Sequence, residues 1–185
     1  MTARAPTLPH TSPLAEPVGS PPHGTTRLVL VHALVWALLQ WLAQSNLDSY
    51  HDMLENFAWA QTFEWGTFKH PPLFAWVVGA WFTIFPTADW AYRLLAYTNV
   101  AVGLWGVAAL ARRLHLPHLA PTAVLLLLWA LPYTTLAAKF NANSQLLSLW
   151  PWTAVALLAA ISSAGRARWA GHLALGLLAA ASFLS

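Results

Sequence analysis

The sequence predicts an all-α, polytopic membrane protein, and three observations carry that expectation. Of its 185 residues, 58% are hydrophobic and only 8% are charged, a balance foreign to ordinary soluble domains. Several apolar runs approach the ~20 residues that a helix needs to cross ~30 Å of hydrocarbon. The acids are also concentrated: Asp48, Asp52, Glu55 and Glu64, four of the six, fall within residues 48–72. Zero Cys excludes disulfides and thiolate metal sites. A net charge of +3, thinly spread, does not suggest nucleic acid.

Residues 1–26 hold Pro6, Pro9, Pro13, Pro17, Pro21 and Pro22 among small polar residues. Such a segment buries too little apolar area to offset chain entropy, so a disordered cytoplasmic tail is expected, with residues 27–185 forming the membrane part. The tail is too polar for a signal-peptide core, which leaves Leu28 to Ala43 as a true span. His32 and Gln40 inside it read as packed, hydrogen-bonded groups.

The acidic loop follows. A helix over 48–63 places Asp48, Asp52 and Glu55 at i, i+4 and i+7, on one face. Phe57, Trp59, Phe63 and Trp65 would give that helix an aromatic surface at headgroup level. An ordinary solvated amphipathic helix fits the same pattern. After Gly66, the run Thr-Phe-Lys69-His70-Pro71-Pro72 leads into apolar residues 73–85, closed by Pro86. Pro-Pro suits a first helical turn, where missing N–H donors cost nothing. The run is short, about 22 Å at 1.5 Å per residue. Asp89 and Arg93 come next, then a span from Leu94 to Ala111 that ends in Arg112-Arg113. A span over 120–138, the segment Lys139-Phe-Asn141-Ala-Asn143, a span over 146–161, an Arg166/Arg168 loop and an apolar run over 173–184 complete the chain.

The positive-inside rule supplies a parity check. With Arg4 and Arg27 inside, the first span carries the acidic loop outside. Arg112-Arg113 and Arg166/Arg168 then both fall inside, separated by two spans. The count closes only if the chain crosses once between the acidic loop and Arg112, so 73–85 is expected to be a shallow, non-spanning helix. Both lysines, Lys69 and Lys139, then emerge on the outer face, which suggests an anionic ligand there.

Asp52-Met-Leu-Glu55-Asn56, Trp59, Trp65-Gly66 and Lys69-His70-Pro71-Pro72-Leu73 together resemble the first outer loop of GT-C type polyprenyl-phosphate-dependent glycosyltransferases. That group includes the dolichyl-phosphate-mannose–protein mannosyltransferases and the bacterial lipid A aminoarabinose transferases. Phe85-Pro86 with Arg93-Leu94 looks like the family's next segment, and Lys139-Phe-Asn-Ala-Asn143 with Leu149-Trp-Pro-Trp152 like a second outer loop. The resemblance runs from about residue 28 to the end. It departs in having Met53, not a second acid, after Asp52, and Asn141 and Asn143 where an Asp is common. Relatives are much longer, so a fragment or truncated reading frame is expected.

The resemblance implies transfer of a sugar from a polyprenyl-phosphate donor to a lipid or glycan acceptor, on the periplasmic face of a bacterial inner membrane. Asp52 is then the candidate general base. Glu55 would orient the acceptor or raise the pKa of Asp52 by like-charge repulsion. Lys69 suits the departing phosphate, with His70 donating beside it. Arg93 and Lys139 are further phosphate candidates, and Asn141 and Asn143 can bond sugar or phosphate. Structural alternatives stand beside these roles: a helix cap for either Asn and an interfacial anchor for Lys69. No cofactor is expected. His51, Asp52 and Glu55 lack a recurring ligand spacing, and carboxylate and amide oxygens would suit only a hard divalent cation. The competing readings are an inactive fragment of such an enzyme and a non-enzymatic transporter or lipid-binding protein. Transporters usually carry an ionisable group mid-membrane, and no acid falls within any expected span here.

Overall fold

Helix length and charge position build the architecture of the computed structural model, which describes residues 23–44 and 51–185. Among the described residues seven α-helices run in order: α1 (His23–Ala43), α2 (Asp52–Ala60), α3 (Leu73–Phe82), α4 (Asp89–Arg113), α5 (Ala120–Leu127), α6 (Ala142–Ser162) and α7 (Gly165–Phe183). Short 3₁₀ turns lie at Pro117–Leu119, Leu131–Tyr133 and Leu136–Ala138. No strand occurs among the described residues. The protein is an all-α polytopic membrane protein: α1, α4 and α6 are each long and apolar enough to cross a bilayer.

The 25-residue α4 is the axis of the bundle. It is about 37 Å long at 1.5 Å per residue, with Asp89 in its first turn and Arg112 and Arg113 in its last, each complementing the helix dipole. Tyr92, Leu95, Ala96, Tyr97, Val100 and Leu104 are buried along it, and it packs against α1, α5 and α6. Trp36 of α1 stacks on Tyr97, and Gln44 just beyond α1 accepts from Arg93, so α1 runs antiparallel to α4. Gly103 and Gly106 let α6 approach closely. A Cβ at Gly103 would overlap the Leu147 carbonyl, and one at Gly106 would lie 2.8 Å from Pro151. Trp152 Nε1 donates to the Val102 carbonyl across the same contact at 2.9 Å. Against the other side of α6, Gly171 of α7 leaves room for the backbone of Ala160.

Several boundaries differ from the sequence expectation. The first helix begins at His23, inside the expected tail; residues 1–22 lie outside the described residues, as does Asp48. The loop helix covers only Asp52–Ala60, because Phe63 takes a left-handed φ of 50°, which a helix cannot carry through. Phe57 and Trp59 turn inward, edge-on to Phe82 and Phe74, whereas Phe63, Trp65 and Phe68 are exposed. Arg166 and Arg168 stand on the first turn of α7 and not in a loop. The short helix α3 has ten residues, about 15 Å, half of what a crossing takes.

The largest departure is at 120–138, where a continuous span was expected. Instead Pro117–Leu127 and Leu131–Ala138 meet at 87°. Pro132 lacks an N–H and its ring crowds the carbonyl four residues back, which favours a break here, although α6 runs on through Pro151. The break does not stop the crossing. The chain leaves the Arg113 end of α4 and arrives beside Arg93, near the opposite end, where Arg93 Nη1 donates to the Ala138 carbonyl at 2.8 Å. From there α6 returns toward the Arg113 end. In turn α7 comes back until the Leu184 carbonyl accepts from Leu73 N at 2.8 Å.

The α4–α6 contact yields a stability prediction. Gly103→Leu should cost about 2 kcal/mol through overpacking, read as a lowered thermal midpoint in detergent. Gly176→Ala, with nothing within 4 Å of the added carbon, should not lower it. An unchanged midpoint for Gly103→Leu would mean that α4 and α6 are not in close contact.

Candidate active site

The site is assembled by three short segments at the end of the bundle where α4 begins. The first is α2. Its buried stripe is Met53, Asn56 and Ala60, at i, i+3 and i+7, which turns Asp52 and Glu55 toward solvent. Asp52 is the first helical residue, where the helix dipole favours an acid. The second segment is the turn 67–70. Thr67 Oγ1 accepts from the amides of Lys69 and His70 at 3.2 and 3.0 Å, and Thr67 N donates to the His70 carbonyl at 3.0 Å. The His70 ring sits edge-on to Trp59 and Phe74. That packing fastens the turn and points Lys69 outward.

The third segment carries Lys139 between two held carbonyls. Arg93 reaches the Ala138 carbonyl, and Asn56 Nδ2 donates to the Phe140 carbonyl at 2.7 Å. Phe140 itself is buried. With the carbonyls on both sides held, the Lys139 side chain reaches Asp52 on α2. Asn141 then starts α6 with a capping box: its Oδ1 accepts from Ser144 N at 2.9 Å, and Ser144 Oγ accepts from Asn141 N at 2.8 Å.

These segments bring two carboxylates and two ammonium groups together. Lys139 Nζ lies 2.9 Å from Asp52 Oδ2; Lys69 Nζ lies 3.7 Å from Asp52 Oδ1 and 2.8 Å from Glu55 Oε2. Asn141 Nδ2 donates weakly to Asp52 Oδ2 at 3.4 Å. Burial alone would push the Asp52 carboxyl up, but the bonds from Lys139 and Asn141 and the charge of both lysines outweigh it. The net position is below the ordinary carboxylate value. An upward shift driven by Glu55 is therefore not what the geometry gives, because each carboxylate has its own cation. Lys69 is raised above its ordinary value, chiefly by its bond to Glu55. Beside Lys139 opens a hollow of about 240 Å³ lined by Pro132, Leu136, Lys139, Asn141, Asn143, Ser144 and Leu147. Its lining mixes the polar Lys139, Asn141, Asn143 and Ser144 with the apolar Pro132, Leu136 and Leu147.

Of the expected site residues, Asp52, Glu55, Lys69, Lys139 and Asn141 converge, and Asn143 lines the hollow. Arg93 is buried at 2% exposure, with its donors on Ala138, Gln44 and the Met53 sulfur. These bonds tie the end of α1 and the 138–140 segment to α4. Among the described residues no group of three His, Asp or Glu side chains gathers as metal ligands do. Two contributors escaped the sequence reading. Asn56 carried a signal, being a polar residue on the buried stripe of α2. The other, Ser144, carried one as well, since Asn-x-x-Ser is a capping pattern.

A family profile described as dolichyl-phosphate-mannose-protein mannosyltransferase matches residues 69–185, more than half of the chain. The chain belongs to that family. No curated protein and no solved structure gives a significant match. The mannosyltransferase match opens on Lys69 and takes in Lys139, Asn141 and Asn143, while Asp52 and Glu55 lie ahead of it. Membership in this family of membrane glycosyltransferases brings with it a lipid-linked sugar donor and an acceptor in general terms.

The depressed Asp52 carboxyl makes a pH prediction. A group whose folded pKa is lowered contributes stability that is present above the unfolded value, about 3.9, and lost as pH falls through the folded value. The stability difference between the native protein and Asp52→Asn should therefore hold steady from pH 5 to 8 (about one unit above the unfolded value at its lower edge). It should close only in stronger acid. Thermal midpoints across that range measure it, and closure already near pH ~5.5 would mean a raised carboxyl instead.

Proposed function

We propose that this protein transfers a sugar from a polyprenyl-phosphate donor to an acceptor hydroxyl or phosphate at the outer, periplasmic face of a bacterial inner membrane. One observation carries the reading: the Asp52 carboxylate stands between two ammonium groups, 2.9 and 3.7 Å away, and one of them, Lys139, also lines a hollow. Asp52, Glu55 and both lysines gather at the end of the bundle opposite Arg112 and Arg113, and the positive-inside rule puts the arginine end in the cytoplasm.

The chemistry assigned to the site balances as follows. A new bond forms between the acceptor oxygen and the anomeric carbon while the bond from that carbon to the phosphate oxygen breaks. The acceptor's proton goes to Asp52, and the electron pair goes to the lipid phosphate. Lys69 and Lys139 meet the charge that develops on that phosphate. Because the lysines keep Asp52 ionised, it is ready to accept a proton across the whole neutral range. As the phosphate takes over the ammonium groups, Asp52 loses their stabilisation and becomes a stronger base. Asn141 positions Asp52, and Asn143 is available to sugar hydroxyls. His70 holds the Lys69 turn.

Asp52→Asn should lower transfer at least ~100-fold, the lower range for loss of a general base, with membrane insertion unchanged. Transfer is followed as loss of the glycolipid donor in membrane vesicles, and undiminished turnover would reject the base. Topology has its own check in a chain free of Cys. An Ala88→Cys variant should react with an impermeant maleimide from the outer face, since α3 is too short to cross; labelling only from the cytoplasmic side would reverse the assignment.

A further inference from the structure

We infer that Glu55 is a built-in stand-in for the anionic ligand: it pairs with Lys69 and must release it when a phosphate-bearing lipid binds. The inference rests on the reading that Lys69 and Lys139 receive a lipid phosphate, and it assigns Glu55 a part in setting affinity.

The pairing pattern is the starting point. Asp52 and Glu55 sit one turn apart on α2, and the two cations divide between them. Lys139 takes Asp52 at 2.9 Å; Lys69 takes Glu55 at 2.8 Å and leaves Asp52 at 3.7 Å. Together the carboxylates satisfy the same two ammonium groups that a phosphate would satisfy. An incoming phosphate therefore competes with groups already in place, and the two acids differ in how firmly they are held. Asp52 is bound by Lys139 and Asn141 as well as by Lys69. The Glu55 carboxylate has Lys69 as its single side-chain partner among the described residues. Its side chain is 38% exposed, so it can turn to water without breaking any other bond, and an exposed pair of this kind is weak.

The lysine stays where it is when Glu55 leaves. Its turn is closed by Thr67 and by the packing of His70 between Trp59 and Phe74, none of which involves the Glu55 side chain. Removing the Glu55 charge should therefore free a positioned cation and remove a repulsive anion beside the ligand. A residue that served the acceptor alone would leave donor affinity untouched.

The test is equilibrium binding of a C15 isoprenyl monophosphate to the full chain in detergent, with inorganic phosphate as a second probe that separates headgroup from tail. Glu55→Gln should bind the lipid phosphate about two- to fivefold more tightly than the native protein, in keeping with the loss of one exposed ion pair. Glu55→Ala, which leaves no amide to bond Lys69, should move in the same direction. Inorganic phosphate should show the same direction of change at lower affinity. The control is Glu64→Gln, which removes an equal charge that takes part in none of the ion pairs among the described residues; its affinity should stay within about twofold, as for a screened surface charge. An equal gain in Glu64→Gln would reduce the effect to overall charge and overturn the inference. Unchanged or weaker binding in both Glu55 variants would overturn it directly while leaving the transfer reading in place. No binding by any form, the native protein included, would overturn both.

Discussion

Backbone carbonyls inside a membrane must find donors, and in this protein one broken segment has several to satisfy. Between α5 and α6 the chain leaves continuous helix, and the carbonyls freed there need donors from elsewhere. Side chains supply the donors. The Tyr133 carbonyl is bonded by His32 Nε2 at 2.8 Å and the Thr134 carbonyl by the Tyr97 hydroxyl at 2.7 Å. Arg93 bonds Ala138, and Asn56 bonds Phe140. These donors come from α1, α2 and α4, so one irregular stretch ties most of the bundle together. It also delivers Lys139 to its place: Ala138 and Phe140, on either side of it, are both held.

The same arrangement explains why a buried guanidinium is tolerated at Arg93. A charge withdrawn from water is expensive unless its donors are used, and those of Arg93 go to a carbonyl, an amide oxygen and a thioether. Arginine suits this task because its planar fork serves several acceptors at once. The lysines do the opposite work. They are compact, partly exposed and paired with carboxylates that can be exchanged.

Much of this was legible in the sequence, for definite reasons. Long spans announce themselves by composition, so α1, α4 and α6 fall close to the expected runs. The brevity of α3 followed from counting residues, and the convergence of Asp52 with Lys69 and Lys139 followed from charges placed where charges are rare. What was not legible depends on single residues or on contacts distant in sequence. Pro132 in an otherwise greasy run breaks a span that average hydropathy reads as whole. Left-handed Phe63 stops α2 early, which no propensity for phenylalanine foretells. The partnership of Glu55 with Lys69 needs the turn at Thr67, and the burial of Arg93 needs carbonyls some 45 residues away. Pattern along the chain cannot report either.

Pro71 and Pro72 leave no amide hydrogen between His70 and Leu73, and the Leu73 hydrogen is taken by the Leu184 carbonyl. The Ser185 hydroxyl bonds the Ala142 carbonyl and the Gln145 side chain nearby. The stiff diproline thus works as a strut, with Lys69 at one end and the tip of α7 at the other. The Leu73–Leu184 bond ties the diproline, and with it the turn that carries Lys69, to the end of α7. The last helix is thereby part of the mechanical mounting of the site, although it contributes no side chain to it.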